Sequence, residues 1–164
     1  MFSPIWRSTA LAAGLLAMAH GPAFAADTPE PARTVAAKDR LAEARQLIAA
    51  KQYPAAVDAL KRVNDTGSAD WHNLMGFSLR KGPSPDLAAA EKHYDEALRI
   101  DPKHKGALEY SGELFLMKGD LGRAEGRVAS LEKLCSSGCD ELNDLRAAVQ
   151  RYKMAGNKFV VGGW

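Results

Sequence analysis

Three alanines, Ala56, Ala90 and Ala124, stand 34 residues apart, and a period of that length restricts the chain to folds assembled from equivalent units. Each alanine is followed four residues later by a larger side chain (Leu60, Tyr94, Val128) and three further on by Val63, Ala97 or Leu131. On a helix these positions share one face. An earlier helix in each unit repeats a second pattern, a small residue followed three later by a larger one: Ala44 with Leu47, Gly76 with Leu79, Gly112 with Phe115. The distance from that small residue to the later alanine is 12, 14 and 12, the middle value reflecting two extra residues in the turn Lys81 to Leu87. Two antiparallel helices per unit, crossing closely where small side chains meet, satisfy the spacing. Such a unit cannot bury its apolar face alone and must stack on the next, and about three are needed for a shared core.

From Lys38 onward the apolar periodicity is helical throughout, so an all-α fold without strands is expected. The middle unit reads Met75-Gly76-x-x-Leu79, then Ala90-x-x-x-Tyr94-x-x-Ala97, and closes with Asp101-Pro102. The third repeats it as Ser111-Gly112-x-x-Phe115, Gly119-Asp120-Leu121 and Ala124, while the first, Lys38 to Asn64, has alanine at the glycine position and no closing proline. In these motifs the chain resembles the tetratricopeptide repeat (TPR) family. The resemblance implies a right-handed superhelix of about three helix-turn-helix repeats (38–67, 68–102 and 103–134). Two departures stand out. Trp71 precedes by one residue the place of the family's aromatic, which His72 occupies, and CSSGC replaces the third closing proline. Beyond it, Leu142, Leu145, Val149 and Tyr152 form one apolar stripe among charged residues, as a capping helix over 135–153 requires.

The first 25 residues hold one basic residue, a ten-residue apolar run from Ala10 to Ala19, a Gly21-Pro22 break and Ala23-Phe24-Ala25. That is the plan of a cleavable export signal cut after Ala25, and the run is too short to span a bilayer, which takes about 20 residues. The short alanine-rich signal points to a periplasmic or secreted bacterial protein, soluble once cut. Residues 26–37, ADTPEPARTVAA, are rich in proline and small side chains and read as a flexible lead-in. The formal charge of +2 becomes +1 when Arg7 is removed, which leaves no electrostatic case for nucleic acid or an anionic membrane.

Cys135 and Cys139 are the only cysteines. Gly138 as helix terminator and Asp140 as cap of the next helix place them around a tight corner, and export makes a disulfide the default. A redox site would show C-x-x-C in a strand-helix setting. A copper(I) site remains the rival, since two thiolates suit a soft ion and Met154 lies nearby in sequence. His93 sits in EKHYDEAL, whose charges read as a solvated outer face, and no Gly-x-Ser-x-Gly, H-E-x-x-H or phosphate loop occurs. Neither enzymatic activity nor a cofactor is expected.

What remains is surface. In the TPR family the first helices of successive units line a concave groove, and the resemblance maps that groove onto Lys38, Leu41, Arg45 and Ile48, onto Asp70, Asn73, Phe77, Arg80 and Lys81, and onto Glu109, Glu113, Leu116 and Met117. Phe77, Leu116 and Met117 would be apolar anchors in a floor basic near the second turn and acidic in the third unit. The positions with which some family members clamp a terminal carboxylate hold Gly106 and Tyr110 here, so that specificity is not carried over. The tail, residues 154–164, ends in FVVGGW and either folds back onto the cap or groove or is displayed to a partner. The expected function is non-enzymatic binding of another exported or membrane-bound protein or peptide. A thiol-based metal handler and a holdase for unfolded exported chains stand as alternatives.

Overall fold

The computed structural model describes residues 40–160. The expected signal segment, the lead-in, Lys38 and the end of the tail (residues 161–164) lie outside the described residues. Among those residues there are seven helices and no strand: α1 Ala42–Ala49, α2 Tyr53–Val63, α3 Ala69–Lys81, α4 Leu87–Ile100, α5 Lys105–Met117, α6 Leu121–Leu134 and α7 Asp140–Met154.

The boundaries follow from capping chemistry. Ser68 Oγ accepts from the Trp71 N–H at 3.3 Å, Asp86 from Ala89 at 2.9 Å and Asp120 from Arg123 at 3.0 Å, which satisfies a free donor at the start of α3, α4 and α6. Pro54 lies in the first turn of α2, where its missing N–H is no loss, and Asn64 ends that helix in the left-handed region.

Each helix packs on its sequence neighbour, and α1, α3, α5 and α7 touch in series. Ala56, Ala90 and Ala124 are all fully buried. Close approach explains why glycine replaces alanine in the partner helices: a Cβ at Gly76 would stand 2.8 Å from Tyr94 Cε1 and 3.1 Å from the Ala90 carbonyl. At Gly112 a Cβ would first meet Leu145 of α7, at 2.6 Å. The third glycine therefore makes room for the last helix. Leu142, Leu145, Val149 and Tyr152 of α7 are all buried, completing a core that runs from α4 to α7. Each such leucine contributes about 2 kcal/mol by leaving water.

A smaller core joins α1, α2 and α3 through Leu41, Ala44, Leu60, Trp71 and Met75, and Leu79 packs against both. Trp71 uses its displaced position to donate Nε1–H to the Leu60 carbonyl at 2.8 Å. At the last corner the Cys135 and Cys139 sulfurs lie at disulfide distance, and Gly138 turns the chain at φ +89°, donating its N–H to the Cys135 carbonyl. Asp140, expected to cap α7 with its side chain, is instead its first helical residue. Cys139 is the N-cap and no side chain bonds there. Asp140 and Glu141 favour this end through the positive pole of the helix dipole.

Candidate binding face

The first helices place their charged and aromatic side chains on one side. α3 carries Asp70, Asn73, Phe77, Arg80 and Lys81 at helical spacing, and α5 carries Gly106, Glu109, Tyr110, Glu113 and Met117 beside them.

Arg80 is the centre of this region, and it is buried, at 2 % exposure. Its Nη2 donates to Glu113 Oε2 at 2.6 Å, its Nε to the Tyr94 hydroxyl at 3.4 Å, and its Nη1 reaches Met117 Sδ at 3.9 Å. The guanidinium carbon lies 5.5 Å from the Phe77 ring centre and 5.7 Å from that of Tyr110, within cation–π range, and the two rings are 4.7 Å apart. Arg80 thus ties α3, α4 and α5 together. Burial raises the Tyr94 hydroxyl well above the usual phenol range, against the pull of Arg80, so it stays protonated. Burial and Glu109 push Tyr110 up to about 12. Lys81 is half-buried, and burial together with the Arg80 charge holds its ammonium below the usual value.

A second polar chain links the outer rim. Arg45 of α1 donates to Asp70 Oδ2 at 2.9 Å, and Asp70 Oδ1 lies 3.0 Å from His104 Nε2. His104 Nδ1 accepts from the Ala107 N–H and caps α5, so the ring proton sits on Nε2 and is donated to Asp70. Burial works to raise the Asp70 carboxyl, but the bonds from His104 and Arg45 outweigh it and hold the group below the usual range.

Glu109 differs from its neighbours. It is 7 % exposed and has no ion-pair partner among the described residues. Burial, then Glu113, Asp144 and Glu141, push its carboxyl up to about 8, with Arg80 opposing weakly. At neutral pH it is mainly protonated. Asn73 is buried to a similar degree, and its Oδ1 lacks a hydrogen-bond partner among the described residues.

The mapped groove residues thus divide by burial. Phe77, Lys81, Met117 and Ile48 are half-buried, Asp70 and Arg45 are exposed, and Asn73, Arg80, Glu109 and Glu113 are buried polar groups. Leu41 and Leu116 belong to the core. Leu116 has no exposed surface, because α5 is covered by α6 on one side and α7 on another. The apolar anchors left at the surface are Phe77 and Met117, with Tyr110 added. Tyr110 carries no special mark in the sequence beyond its spacing: it precedes Glu113 by three residues, which puts it on the face of α5 that meets Phe77 of α3.

His93 does not sit on a solvated face. It is half-buried, with Nδ1 3.0 Å from His72 Nδ1, and Trp71 lies edge-on to both rings. His72 Nε2 must donate to the Thr66 carbonyl at 3.0 Å, which leaves its Nδ1 bare to accept from His93. Glu91, read in the same patch, turns away to pair with Lys118 and Arg123. Among the described residues, no group of three or more His, Cys, Asp or Glu side chains is arranged to hold a metal ion, and no helix is long and apolar enough to cross a membrane.

No protein-family model and no curated protein matches this chain.

Proposed function

We propose that this chain is an exported, TPR-like binding module, working in the periplasm as a non-enzymatic scaffold for another exported or membrane-bound protein. The observation that carries this reading is the face between α3 and α5. Phe77, Tyr110 and Met117 remain half-exposed there around a buried arginine that fixes their positions. Rigid aromatic and thioether side chains on a preorganised floor are the usual anchors of a protein interface. The serial contact of α1, α3, α5 and α7 supports a stacked-repeat architecture, which presents such a face as one continuous surface. Cys135 and Cys139 enter this reading as a staple between α6 and α7.

A photo-crosslinking amino acid at Met117, compared with one at exposed Lys92 on α4, tests the assignment in intact cell envelopes. The expected result is a discrete protein adduct from position 117 and none from position 92. Equal labelling from both positions would sink the binding-face reading.

A further inference from the structure

His72 of α3 and His93 of α4 share a single hydrogen between them. His72 donates Nε2–H to the Thr66 carbonyl at 3.0 Å, so its Nδ1 is bare, and the hydrogen in the 3.0 Å gap between the two Nδ1 atoms belongs to His93. Trp71 stands edge-on to both rings, its ring centre 4.8 Å from that of His72 and 5.6 Å from that of His93, and its Nε1–H holds the Leu60 carbonyl of α2. The chain therefore converges here from α2, the α2–α3 turn, α3 and α4. One added proton has a place to go, on His93 Nε2, because the hydrogen in the gap still faces a bare nitrogen. A second has none. It must enter the gap, where two N–H groups would point at each other across 3.0 Å, and the contact has to open. The surrounding charges are mostly committed elsewhere. Glu96, one turn beyond His93 on α4, is held low first by its bonds from Arg99, at 2.8 and 2.7 Å, and only last by the charge of His72. Beside the turn stand Asp65, half-buried, and Arg40, which donates to the Val63 carbonyl. Asp70 of α3 pairs with Arg45 and His104, Glu91 of α4 pairs with Lys118 and Arg123, and Lys92 is exposed. What acts on His93 itself is burial and then the charge of His72, and both hold it below its ordinary 6.5.

We propose that the His72–His93 pair is a proton-operated latch: neutral or singly protonated, it holds the α2–α3 turn against α3 and α4, and a second added proton releases it. The latch works whether or not the α3–α5 face binds a partner. Its release reaches that face all the same, because the first turn of α3 carries both His72 and Asp70, and Asp70 joins Arg45 and His104 there. The two rings titrate as a pair, in two steps. The open turn takes up the second proton near the ordinary 6.5, the closed turn only at lower pH. Opening therefore grows as the pH falls below that value, by up to about tenfold per pH unit, until the closed pair itself takes the proton.

The full chain with nitrogen-15 in its histidines tests the latch by nuclear magnetic resonance from about pH 8 down to about pH 4.5. A nitrogen–nitrogen coupling across the Nδ1–H···Nδ1 bond is expected at the upper end, persisting while the first proton is taken up and vanishing with the second. The amides of Ser68 and His72, whose N–H groups donate to the Asp65 and Ser68 carbonyls, report the turn by hydrogen exchange. Their protection should fall by up to about tenfold per pH unit below the ordinary histidine value, and the fall should be insensitive to about 1 M urea, because local opening exposes little surface. His93→Gln can still donate an amide N–H to His72 Nδ1 but takes up no proton, so it should keep the protection of the turn at neutral pH and lose the acid-induced fall. Absence of the coupling at the upper end, or its loss with the first proton, would overturn the latch in the wild-type chain alone. An acid-induced fall that urea steepens would mark global unfolding and overturn it too, as would the same fall in His93→Gln.

Discussion

Replacing Arg80 by methionine separates a structural ion pair from a surface charge. Methionine retains much of the arginine stem but removes the charge that meets Glu113 at 2.6 Å, and the arginine side chain is 1 % exposed, its partner's 11 %. Breaking a buried pair on one side generally costs about 3–5 kcal/mol, because the remaining charge stays desolvated and unpaired. The loss in Arg80→Met is therefore expected near 3 kcal/mol at pH 7, part of it from the lost contacts with Phe77 and Tyr110. At pH 7 this lowers the melting temperature by roughly 10 °C for a domain of this size. Adding Glu113→Gln should recover most of the loss, since no charge is then left behind. Urea unfolding and thermal melting, both followed by helical circular dichroism, measure the loss, the temperature shift and the recovery. A loss under 1 kcal/mol at pH 7 would show that Arg80 is solvated and that the α3–α5 contact is held by other means.

Two further perturbations probe the rest of the frame. His93 is held below its ordinary value of 6.5 by burial and by His72, so the unfolded chain binds more protons as the pH falls past 6.5 and stability drops in that range; His93→Gln should flatten the pH 6.5 to 5 segment of the stability curve, and a curve parallel to the wild type would remove the histidine pair from the account. The Cys135–Cys139 ring closes only a few residues, for which chain entropy gives about 2 kcal/mol. The double serine variant should lose no more than that and keep its position-117 adduct, whereas loss of the adduct with folding intact would return the cysteines to a functional role.

The helical frame is legible because its strongest constraint is steric and local. Ala56, Ala90 and Ala124 sit where helices touch, only small side chains fit, and the requirement recurs with every unit. The charged residues are harder to place because a one-dimensional pattern assigns them to water. Arg80 and Glu113 read as groove charges, and nothing in either local window tells that each buries the other. His72 and His93 lie 21 residues apart on the two helices of one unit, and their meeting depends on the crossing of α3 and α4. The role of Asp140 escapes for a smaller reason: the helix begins one residue earlier than the acid-cap pattern suggests, so Cys139 takes the cap position.

The period itself contains a signal for those long-range pairs. Gly76 and Gly112 set the first helices of these units 36 residues apart, and Asp70–His104 at 34 and Arg80–Glu113 at 33 each join a residue to one within a turn of its counterpart in the next unit. Stacking makes a residue on one first helix the neighbour of the turn that holds its counterpart one unit later, and a charge is neutralised when that turn offers the opposite sign. Glu91 follows the same logic with Arg123, 32 residues on. Applied to Glu109, the rule points to α7, one unit further along, and there the neighbours are Glu141 and Asp144. There the stack supplies like charge, unlike at Asp70, Arg80 and Glu91. Burial and like charge therefore favour the protonated form of Glu109, whose carboxyl is pushed up to about 8.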